Sequence, residues 1–192
     1  MTITSADFIT GAVAPPGYPA LRVPEFAFFG RSNAGKSSLI NMIVNRKALV
    51  KTGARPGMTR QINFFLINKT FSLVDLPGYG YARRSAAEQT AFDRMLAEYC
   101  DERPELKVMF FLMDMRREPG AIERDSVAYF QERGIEVFLV GTKADKLGSN
   151  DRRATIRAWE NFFSVAPDSI IPTSSLKKQG RLQLLSIISS RL

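Results

Sequence analysis

The feature that most constrains the fold of this chain is a glycine-bounded loop between an apolar run and a helix-like segment. Its pattern, G-x-x-x-x-G-K-[ST], is typical of loops whose backbone amides surround phosphate oxygens at the start of a helix. Glycine at both ends permits positive φ values and a close approach of the backbone to a phosphate. A glycine-rich turn without a ligand is the alternative, and the strand-to-helix context disfavours it. The loop comprises Gly30, Arg31, Ser32, Asn33, Ala34, Gly35, Lys36 and Ser37, and a helix is expected at Ser38–Val44.

Two side chains at the end of the glycine-bounded loop carry specific expectations. Lys36 would bridge the β and γ phosphates of a nucleoside triphosphate. Ser37 would give its hydroxyl to Mg²⁺, a hard cation that prefers oxygen ligands and retains several waters. The loop therefore predicts a nucleotide and a magnesium ion as ligands.

The rest of the chain alternates strand-length apolar runs with helix-length amphipathic segments. This alternation predicts a three-layer α/β/α fold with a mostly parallel sheet covered by helices on both faces. Strands are expected at Glu25–Phe29, Ile62–Ile67, Thr70–Val74, Val108–Met113, Val137–Val140 and Ser169–Pro172. Further helices are expected at Ser85–Glu102, Ile122–Arg133, Asp151–Val165 and Gly180–Leu192.

One connection departs from the alternation. Only Asn68 and Lys69 separate the second and third of these six strands, and two residues are too few for a crossover helix. The six-stranded sheet should therefore carry one antiparallel hairpin at an edge. Residues 1–23, which contain the irregular Ala14–Pro19, are expected to be an irregular lead-in, and residues 24–192 a single domain.

Composition excludes several classes of active site. The chain has no histidine and a single cysteine, Cys100. Ser-His-Asp and Cys-His nucleophilic sites, histidine-ligated zinc and an intrachain disulfide are therefore excluded. No apolar run approaches the roughly 20 residues that span a bilayer, and Met1–Thr10 lacks the pattern of a signal peptide. A cytoplasmic location without a membrane partner is expected.

The charge of the chain is strongly positive. Its 27 Lys and Arg residues exceed its 19 Asp and Glu residues, which gives a net charge of +8. A cationic surface gains free energy when it displaces counterions from nucleic-acid phosphates, but many basic domains carry the excess only for solubility. Paired cations fit either a contact with RNA or a solvated surface. The pairs are Arg83-Arg84, Arg116-Arg117, Arg152-Arg153 and Lys177-Lys178.

Two further segments are predicted near the same edge of the sheet as the glycine-bounded loop. The D-x-P-G segment, residues 75–78, would place Asp75 in the Mg²⁺ shell and let Gly78 turn its backbone N–H toward a γ-phosphate. Thr59 is a hydroxyl in the loop ahead of the edge strand. Together these groups are typical of a phosphate-sensing switch. A strand-end cap at Asp75 and an ordinary loop residue at Thr59 are the alternatives.

The segment Thr142-Lys143-Ala144-Asp145 favours guanine over adenine. The carboxylate of Asp145 can accept protons from both N1–H and the 2-amino group of guanine, a paired donor edge that adenine lacks. Lys143 can lay its aliphatic stem across the base plane. Residues 174–176 can place a backbone N–H on the guanine carbonyl. Alone the segment fits a surface loop, but its order after the glycine-bounded loop and the D-x-P-G segment supports a guanine site.

In this order the motifs resemble those of translation-factor-class GTPases and, more closely, the EngB (YihA/YsxC) family of bacterial ribosome-assembly GTPases. The distinguishing strings are G-R-S-N-A-G-K-S-S-L-I-N from Gly30, D-L-P-G-Y-G-Y-A from Asp75, T-K-A-D-K-L from Thr142 and S-S-L-K-K from Ser174. The Y-G-Y-A continuation is the most specific of them. The likeness covers the chain from about Pro24 to its C-terminal end. Arg117 departs from the pattern, since the family more often has histidine there.

The resemblance implies a P-loop GTPase domain, a slow Mg²⁺-dependent hydrolysis of GTP, and a monomer. It also implies a role in 50S ribosomal subunit assembly, with rRNA contacts and a link to cell division and septation. Asn33 matches the asparagine with which potassium-dependent relatives hold K⁺, and Tyr79 stands where Ras-like enzymes position water with glutamine.

The resemblance also implies roles for individual residues. Lys36, Thr59, Gly78 and Asn33 would act on the reaction. Ser37, Thr59 and Asp75 would hold Mg²⁺. The other residues expected to contact the nucleotide are Gly30, Arg31, Ser32, Ala34, Gly35, Ser38, Gly57, Met58, Arg60, Gln61, Leu76, Pro77, Thr142, Lys143, Ala144, Asp145, Ser174, Ser175 and Leu176.

Three functional interpretations are compared. In the first, hydrolysis of GTP is the product-forming event. In the second, which we favour, GTP and GDP set the affinity for a ribosomal particle, and hydrolysis resets the switch. An ATP-dependent small-molecule kinase would use the same glycine-bounded loop, but it gives no reason for the segment from Thr142 to Asp145.

Overall fold

The computed structural model describes residues 1–46, 48–50, 61–80 and 85–192, which form a mixed sheet with helices on both faces. The strands are β1 (Ala6–Ala12), β2 (Glu25–Gly30), β3 (Ile62–Ile67), β4 (Phe71–Asp75), β5 (Leu106–Asp114), β6 (Glu136–Thr142) and β7 (Ile170–Pro172). The helices are α1 (Lys36–Val44), α2 (Ala86–Glu102), α3 (Ala121–Glu132), α4 (Ser149–Phe163) and α5 (Arg181–Ser189). Short 3-10 turns lie at Pro15–Gly17, Ala144–Lys146 and Pro167–Ser169.

The strand order is β1-β3-β4-β2-β5-β6-β7. The strands from β4 to β7 in this order pair in parallel, whereas β3 is antiparallel to both of its neighbours. Asn68, Lys69 and Thr70 connect β3 to β4. Asn68 and Lys69 have φ values of 50° and 58°, the positive values that a type I′ turn requires, and the Thr70 N–H donates to the Ile67 carbonyl at 2.9 Å. The predicted three-layer fold, mostly parallel sheet and antiparallel hairpin are confirmed, and the element ends agree to within a few residues.

The sheet has seven strands rather than the six that the sequence predicts. Residues 1–23 are not irregular throughout, because β1 pairs antiparallel with β3 and displaces the hairpin from the edge. The carboxamide oxygen of Asn68 accepts the backbone N–H groups of Thr4 (2.7 Å) and Ser5 (3.1 Å), which holds the start of this strand. Only Ala6 and Ala12 of β1 are buried, so the strand lacks the alternation of large apolar residues that predicts a half-buried strand.

The central strand β2 divides the core into two halves. Phe26 and Phe28 pack in the cluster that contains residues of α1 and α5. Ala27 and Phe29 pack on the other face with residues of α2, α3 and α4. Every residue of β2 is buried, and Phe26–Phe29 form the continuous apolar run that is typical of a strand covered on both faces.

The parallel strands β4, β2, β5, β6 and β7 end at one edge of the sheet, so the loops that follow them lie close together. These are the loops that carry the predicted motifs. Among the described residues, no helix combines the length and the apolar character that crossing a membrane requires.

Candidate nucleotide-binding site

The glycine-bounded loop connects β2 to the N-terminus of α1, where free backbone amides favour an anion. Its two glycines are required for different reasons. A Cβ on Gly30 would lie 2.4 Å from the carbonyl oxygen of Leu112, so β5 approaches too closely for a side chain. Gly35 precedes α1 with φ +101°, in the left-handed region that glycine adopts without strain.

Asp75 ends β4 next to this loop and is 2 % exposed. Its Oδ1 is buried and has no hydrogen-bond partner among the described residues. Burial raises the pKa of this carboxyl to about 6, although the positive charge of Lys36 acts in the opposite direction. An unpaired buried carboxylate oxygen is unfavourable unless a further group, such as a cation, compensates it.

The donor set around Asp75 fits Mg²⁺. Ser37 stands in the first turn of α1 and offers a hydroxyl oxygen, and both donors are hard oxygen ligands. The described residues contain no cluster of three acidic, histidine or cysteine side chains that would hold a metal by themselves. The remaining ligands would therefore be water and phosphate oxygens, the usual pattern for Mg²⁺ at a nucleotide.

Gly78 lies directly against the glycine-bounded loop. A Cβ at this position would be 2.9 Å from Lys36 Nζ, 3.0 Å from the Gly30 carbonyl oxygen and 3.0 Å from the Ser32 backbone nitrogen. The next residue strengthens this contact, because the Tyr79 carbonyl accepts the Ser32 N–H at 2.9 Å. The D-x-P-G segment is therefore packed where a γ-phosphate would be sensed.

The side chain of Tyr79 is directed at α3. It is 8 % exposed, its ring centroid is 5.5 Å from that of Phe29, and its hydroxyl donates to Glu123 Oε1 at 2.7 Å. Burial raises the pKa of Tyr79, and the neighbouring Glu123 acts in the same direction. The other carboxylate oxygen of Glu123 accepts the Gly120 N–H at 2.9 Å. The sequence analysis missed Glu123, for which the capping pattern Gly120-x-x-Glu123 is the available signal.

The guanine-selective segment is tied to the glycine-bounded loop. Thr142, at the end of β6, donates its hydroxyl to the Ala34 carbonyl at 2.7 Å. Lys143 Nζ donates to the Asn33 carbonyl at 3.2 Å and to Asp114 Oδ2 at 3.0 Å. The structure thus brings the predicted base-recognition and phosphate-recognition residues together.

Asp145 lies beside the segment that follows β7. Its Oδ1 accepts the hydroxyl of the buried Ser174 at 2.6 Å, and Lys146 Nζ is 3.8 Å from its Oδ2. The hydrogen bond from Ser174 lowers the pKa of Asp145, which keeps this carboxylate ionised. Ser174 also accepts the Lys177 backbone N–H at 3.1 Å, whereas Leu176 is exposed. The sequence places Ser174 near the base, but its bond to Asp145 emerges only from the fold.

Asp114, at the end of β5, is a second site residue that the sequence analysis missed. Its carboxylate accepts two bonds from the Arg116 guanidinium, at 2.9 and 2.7 Å, besides the one from Lys143. The Arg116 hydrogen bonds hold the pKa of Asp114 well below its usual range. An acidic residue at the end of a parallel strand is the signal that would have identified it.

A cleft of about 590 Å³ adjoins the outer face of the glycine-bounded loop. Arg31 and Asn33 from the loop, Tyr79, Arg117 and Lys143 contribute to its walls. Since Asn33 and Lys143 are also predicted to contact the nucleotide, the cleft is an extension of the candidate site.

Several predicted site residues cannot be compared with this geometry, and one described residue, Gln61, lies elsewhere. Thr59, Gly57, Met58 and Arg60 lie outside the described residues, as do Arg55, Tyr81, Ala82, Arg83 and Arg84. The recorded contacts of Gln61 are with β1 and β3: its amide donates to Asn63 Oδ1 at 3.1 Å and fills the space beside Gly11.

Comparisons with known proteins match both the motifs and the fold. A family model described as a 50S ribosome-binding GTPase matches residues 25–143. The probable GTP-binding protein EngB of Treponema denticola is 51% identical over 212 residues and covers 100% of both chains. The protein of the same description from Alkaliphilus metalliredigens is 44% identical over 96% of this chain and 89% of its own length.

Solved structures share the architecture. The crystal structure of a probable GTP-binding protein engB has a TM-score of 0.71 at 23% identity, and covers 86% of this chain and 97% of that one. A crystal structure of Aquifex aeolicus Era bound to GDP and aluminium fluoride has a TM-score of 0.69 at 21% identity, over 86% of this chain and 56% of that one. At these identities the likeness establishes the fold.

Proposed function

The chain belongs to the EngB family of GTP-binding proteins, and from that premise we propose that it is a nucleotide-gated switch in assembly of the large ribosomal subunit. As a member of that family it binds guanine nucleotide and hydrolyses GTP. The matching family description, a 50S ribosome-binding GTPase, supports the large subunit as the partner and excludes the kinase interpretation. A link to cell division and septation and a cytoplasmic location belong to the same proposal.

The observation that carries the switch is the contact of Gly78 with the glycine-bounded loop. A Cβ added to Gly78 would lie 2.9 Å from Lys36 Nζ and 3.0 Å from the Ser32 nitrogen, so a γ-phosphate bound by these groups would lie next to Gly78. A nucleotide with two phosphates offers no such partner. The position of the D-x-P-G segment would then depend on the nucleotide, which is the minimum requirement of a switch.

The nucleotide contacts follow from the same geometry. The amides of the glycine-bounded loop and of the first turn of α1 surround the phosphates, and Lys36 neutralises the β and γ oxygens. Asp145, held ionised by Ser174, accepts the two donor groups of the guanine edge. Lys143 crosses the base plane with its stem while its ammonium group stays on the Asn33 carbonyl.

Mg²⁺ is assigned to Ser37 and Asp75, with Thr59 from outside the described residues as the third protein ligand. The ion would offset the negative charge that develops on the transferred phosphoryl group. K⁺ is assigned to Asn33, which has a positive φ of 64° and an exposed side chain at the outer face of the loop. A cation there would stabilise transition-state charge in place of an arginine finger.

The GTP form, rather than the GDP form, is proposed to dock on the assembly particle. Arg55 and Arg60 flank Thr59 in sequence, and Arg83-Arg84 follow the D-x-P-G segment. Binding of Mg²⁺ at Thr59 and of a γ-phosphate at Gly78 would gather the charges of these arginines into one surface for rRNA.

Sedimentation with purified large subunits tests this function. The chain is mixed with subunits in GDP or in a non-hydrolysable GTP analogue, over a series of salt concentrations. With about four phosphate contacts the logarithmic salt slope should be near −3, so a fourfold rise in salt weakens binding roughly 50-fold. The double variant Arg83→Ala/Arg84→Ala should flatten the slope and leave GTP affinity unchanged. Binding to subunits that is equally strong with either nucleotide and at every salt concentration would contradict the switch.

A further inference from the structure

Positive charge is concentrated around the guanine end of the site. Residues 144–160 and 174–182 carry seven Lys or Arg residues and three acidic ones, Asp145, Asp151 and Glu160. The two segments are adjacent, because Asp145 accepts the hydrogen bond of Ser174. We call the cationic part of this region the guanine-end surface, which comprises Lys146, Arg152, Arg153, Arg157, Lys177 and Lys178.

Most of this surface is not neutralised by neighbouring carboxylates. On other helices the exposed arginines are paired: Arg94 with Glu98 at 2.7 Å on α2, and Arg124 with Asp125 at 3.4 Å on α3. Within the described ranges, no ion pair is formed by any cation of the guanine-end surface except Lys146. Arg153 instead donates to the side chain of Asn150 at 2.6 Å. The positive charge of the surface is therefore available to an anionic partner.

Helix α4 presents two of these cations on one exposed face. Arg153 and Arg157 are four residues apart, about 6 Å along the helix axis, and Ala154 and Ala158 beside them are also exposed. The opposite face of α4 buries Trp159 in the core. The short alanine side chains leave room for a nucleic-acid backbone to approach alongside the arginines.

Helix stability does not account for this arrangement. Like charges four residues apart destabilise a helix by a few tenths of a kcal/mol. An acidic residue within one turn could compensate, and Glu160, three residues after Arg157, stands on this face of α4. No ion pair joins Glu160 to Arg157 within the described ranges, so the charge of the two arginines stays open to an anionic partner.

We propose that the guanine-end surface binds the sugar-phosphate backbone of RNA in both nucleotide states, as a weaker contact that does not by itself dock the GDP form on the assembly particle. The inference rests on the proposed ribosomal role and adds a contact separate from the switch. Guanidinium groups pair with phosphate oxygens through two parallel hydrogen bonds, and contacts of this kind position a protein on RNA without reading sequence. Arg153 and Arg157 belong to a regular helix and to no phosphate-sensing segment, so loss of a γ-phosphate does not disperse them.

The test compares Arg153→Ala/Arg157→Ala with Arg94→Ala/Arg124→Ala, a control that removes the same charge from two exposed arginines on α2 and α3. Binding to purified large subunits and to rRNA extracted from them is measured across a salt series, with GDP and with a GTP analogue. Each lost phosphate contact should reduce the salt slope by about 0.7–0.9, so the first variant should lose about 1.5. Its affinity near 0.15 M salt should fall roughly tenfold with either nucleotide. The charge-keeping Arg153→Lys/Arg157→Lys should retain the slope.

The outcomes separate this inference from the proposed function. An equal loss in the control, or no loss in Arg153→Ala/Arg157→Ala, overturns the RNA surface while leaving the switch intact. Weaker binding to subunits with unchanged binding to extracted rRNA also overturns it, since the contact would then be with a protein. The unmodified chain could instead bind extracted rRNA, with a salt slope that depends on Arg153 and Arg157, but not bind subunits. That result would support the RNA surface and contradict the ribosomal role. Unchanged GTP turnover and thermal unfolding of both variants show that they are folded.

Discussion

Replacement of Gly78 by alanine should separate GTP binding from GDP binding. The added methyl group would meet three atoms of the glycine-bounded loop at 2.9–3.0 Å: Lys36 Nζ, the Gly30 carbonyl oxygen and the Ser32 nitrogen. The lysine end can move, but the other two atoms are backbone held by β2 and by the bond between Ser32 and Tyr79. The D-x-P-G segment must therefore move away from the loop.

The size of the shift follows from these distances. Ordinary contacts of a Cβ atom begin near 3.4 Å, so the segment has to move away by about half an ångström. Overpacking of this kind lowers the free energy of unfolding by about 1–3 kcal/mol. The Gly78 amide would lose its reach to a γ-phosphate, and displacement of about 1 Å in a reacting site lowers rates on the order of 100-fold. GTP turnover should fall by about one to two powers of ten, while GDP affinity changes less than about threefold.

The assay measures affinities for GDP and a non-hydrolysable GTP analogue, GTP turnover, and thermal unfolding. Gly134→Ala is the control, because Gly134 has φ +71° and no atom within 4 Å of an added Cβ. It should cost about 1–3 kcal/mol of stability through backbone strain and leave both affinities unchanged. An unchanged preference between the two nucleotides in Gly78→Ala would refute the reasoning.

Three further outcomes are expected. Asp145→Asn should shift the binding preference from guanine toward xanthine nucleotides, because the asparagine amide can donate to the carbonyl of xanthine, and should weaken GTP affinity on the order of 100-fold. Competition binding measures this shift, and equal binding of ATP and GTP by the unmodified chain would contradict the role of Asp145. The rate of GTP turnover should be higher in K⁺ than in Na⁺ at equal ionic strength, and Asn33→Ala should abolish this difference. Equal rates of the unmodified chain in both salts would show that K⁺ takes no part in the reaction. Asp114→Asn should lower the free energy of unfolding by about 2 kcal/mol at pH 7. Because the folded pKa of Asp114 is depressed, its stabilisation is complete above the ordinary pKa of 3.8 and lost as pH falls, so wild type and variant should converge in denaturation curves at low pH.

The sequence predicts those parts of the fold and site whose signals are local. The glycine-bounded loop, the hairpin at Asn68-Lys69 and the buried strand β2 each depend on spacing or apolar character within a few residues. The same holds for the order of the nucleotide motifs, since each motif follows its own strand.

The parts that escaped prediction depend on contacts between distant segments. Asp114 matters because Lys143, which follows the neighbouring strand β6, donates a hydrogen bond to it. Glu123 matters because Tyr79 is turned toward α3 rather than toward the nucleotide. β1 is visible only through its pairing with β3, because its own side chains supply little buried apolar surface.

The placement of β1 bears on the order in which the chain folds during synthesis. β1 is made before β3, the strand that pairs with it, because β3 follows about 50 residues later in the chain. β3 is itself completed by the hairpin with β4. Before β3 is made, β1 has no strand to pair with, and its two buried alanines supply little apolar surface to favour collapse. We expect β1 to be among the last of the described strands to join the sheet, closing over a β3 that the hairpin has already aligned.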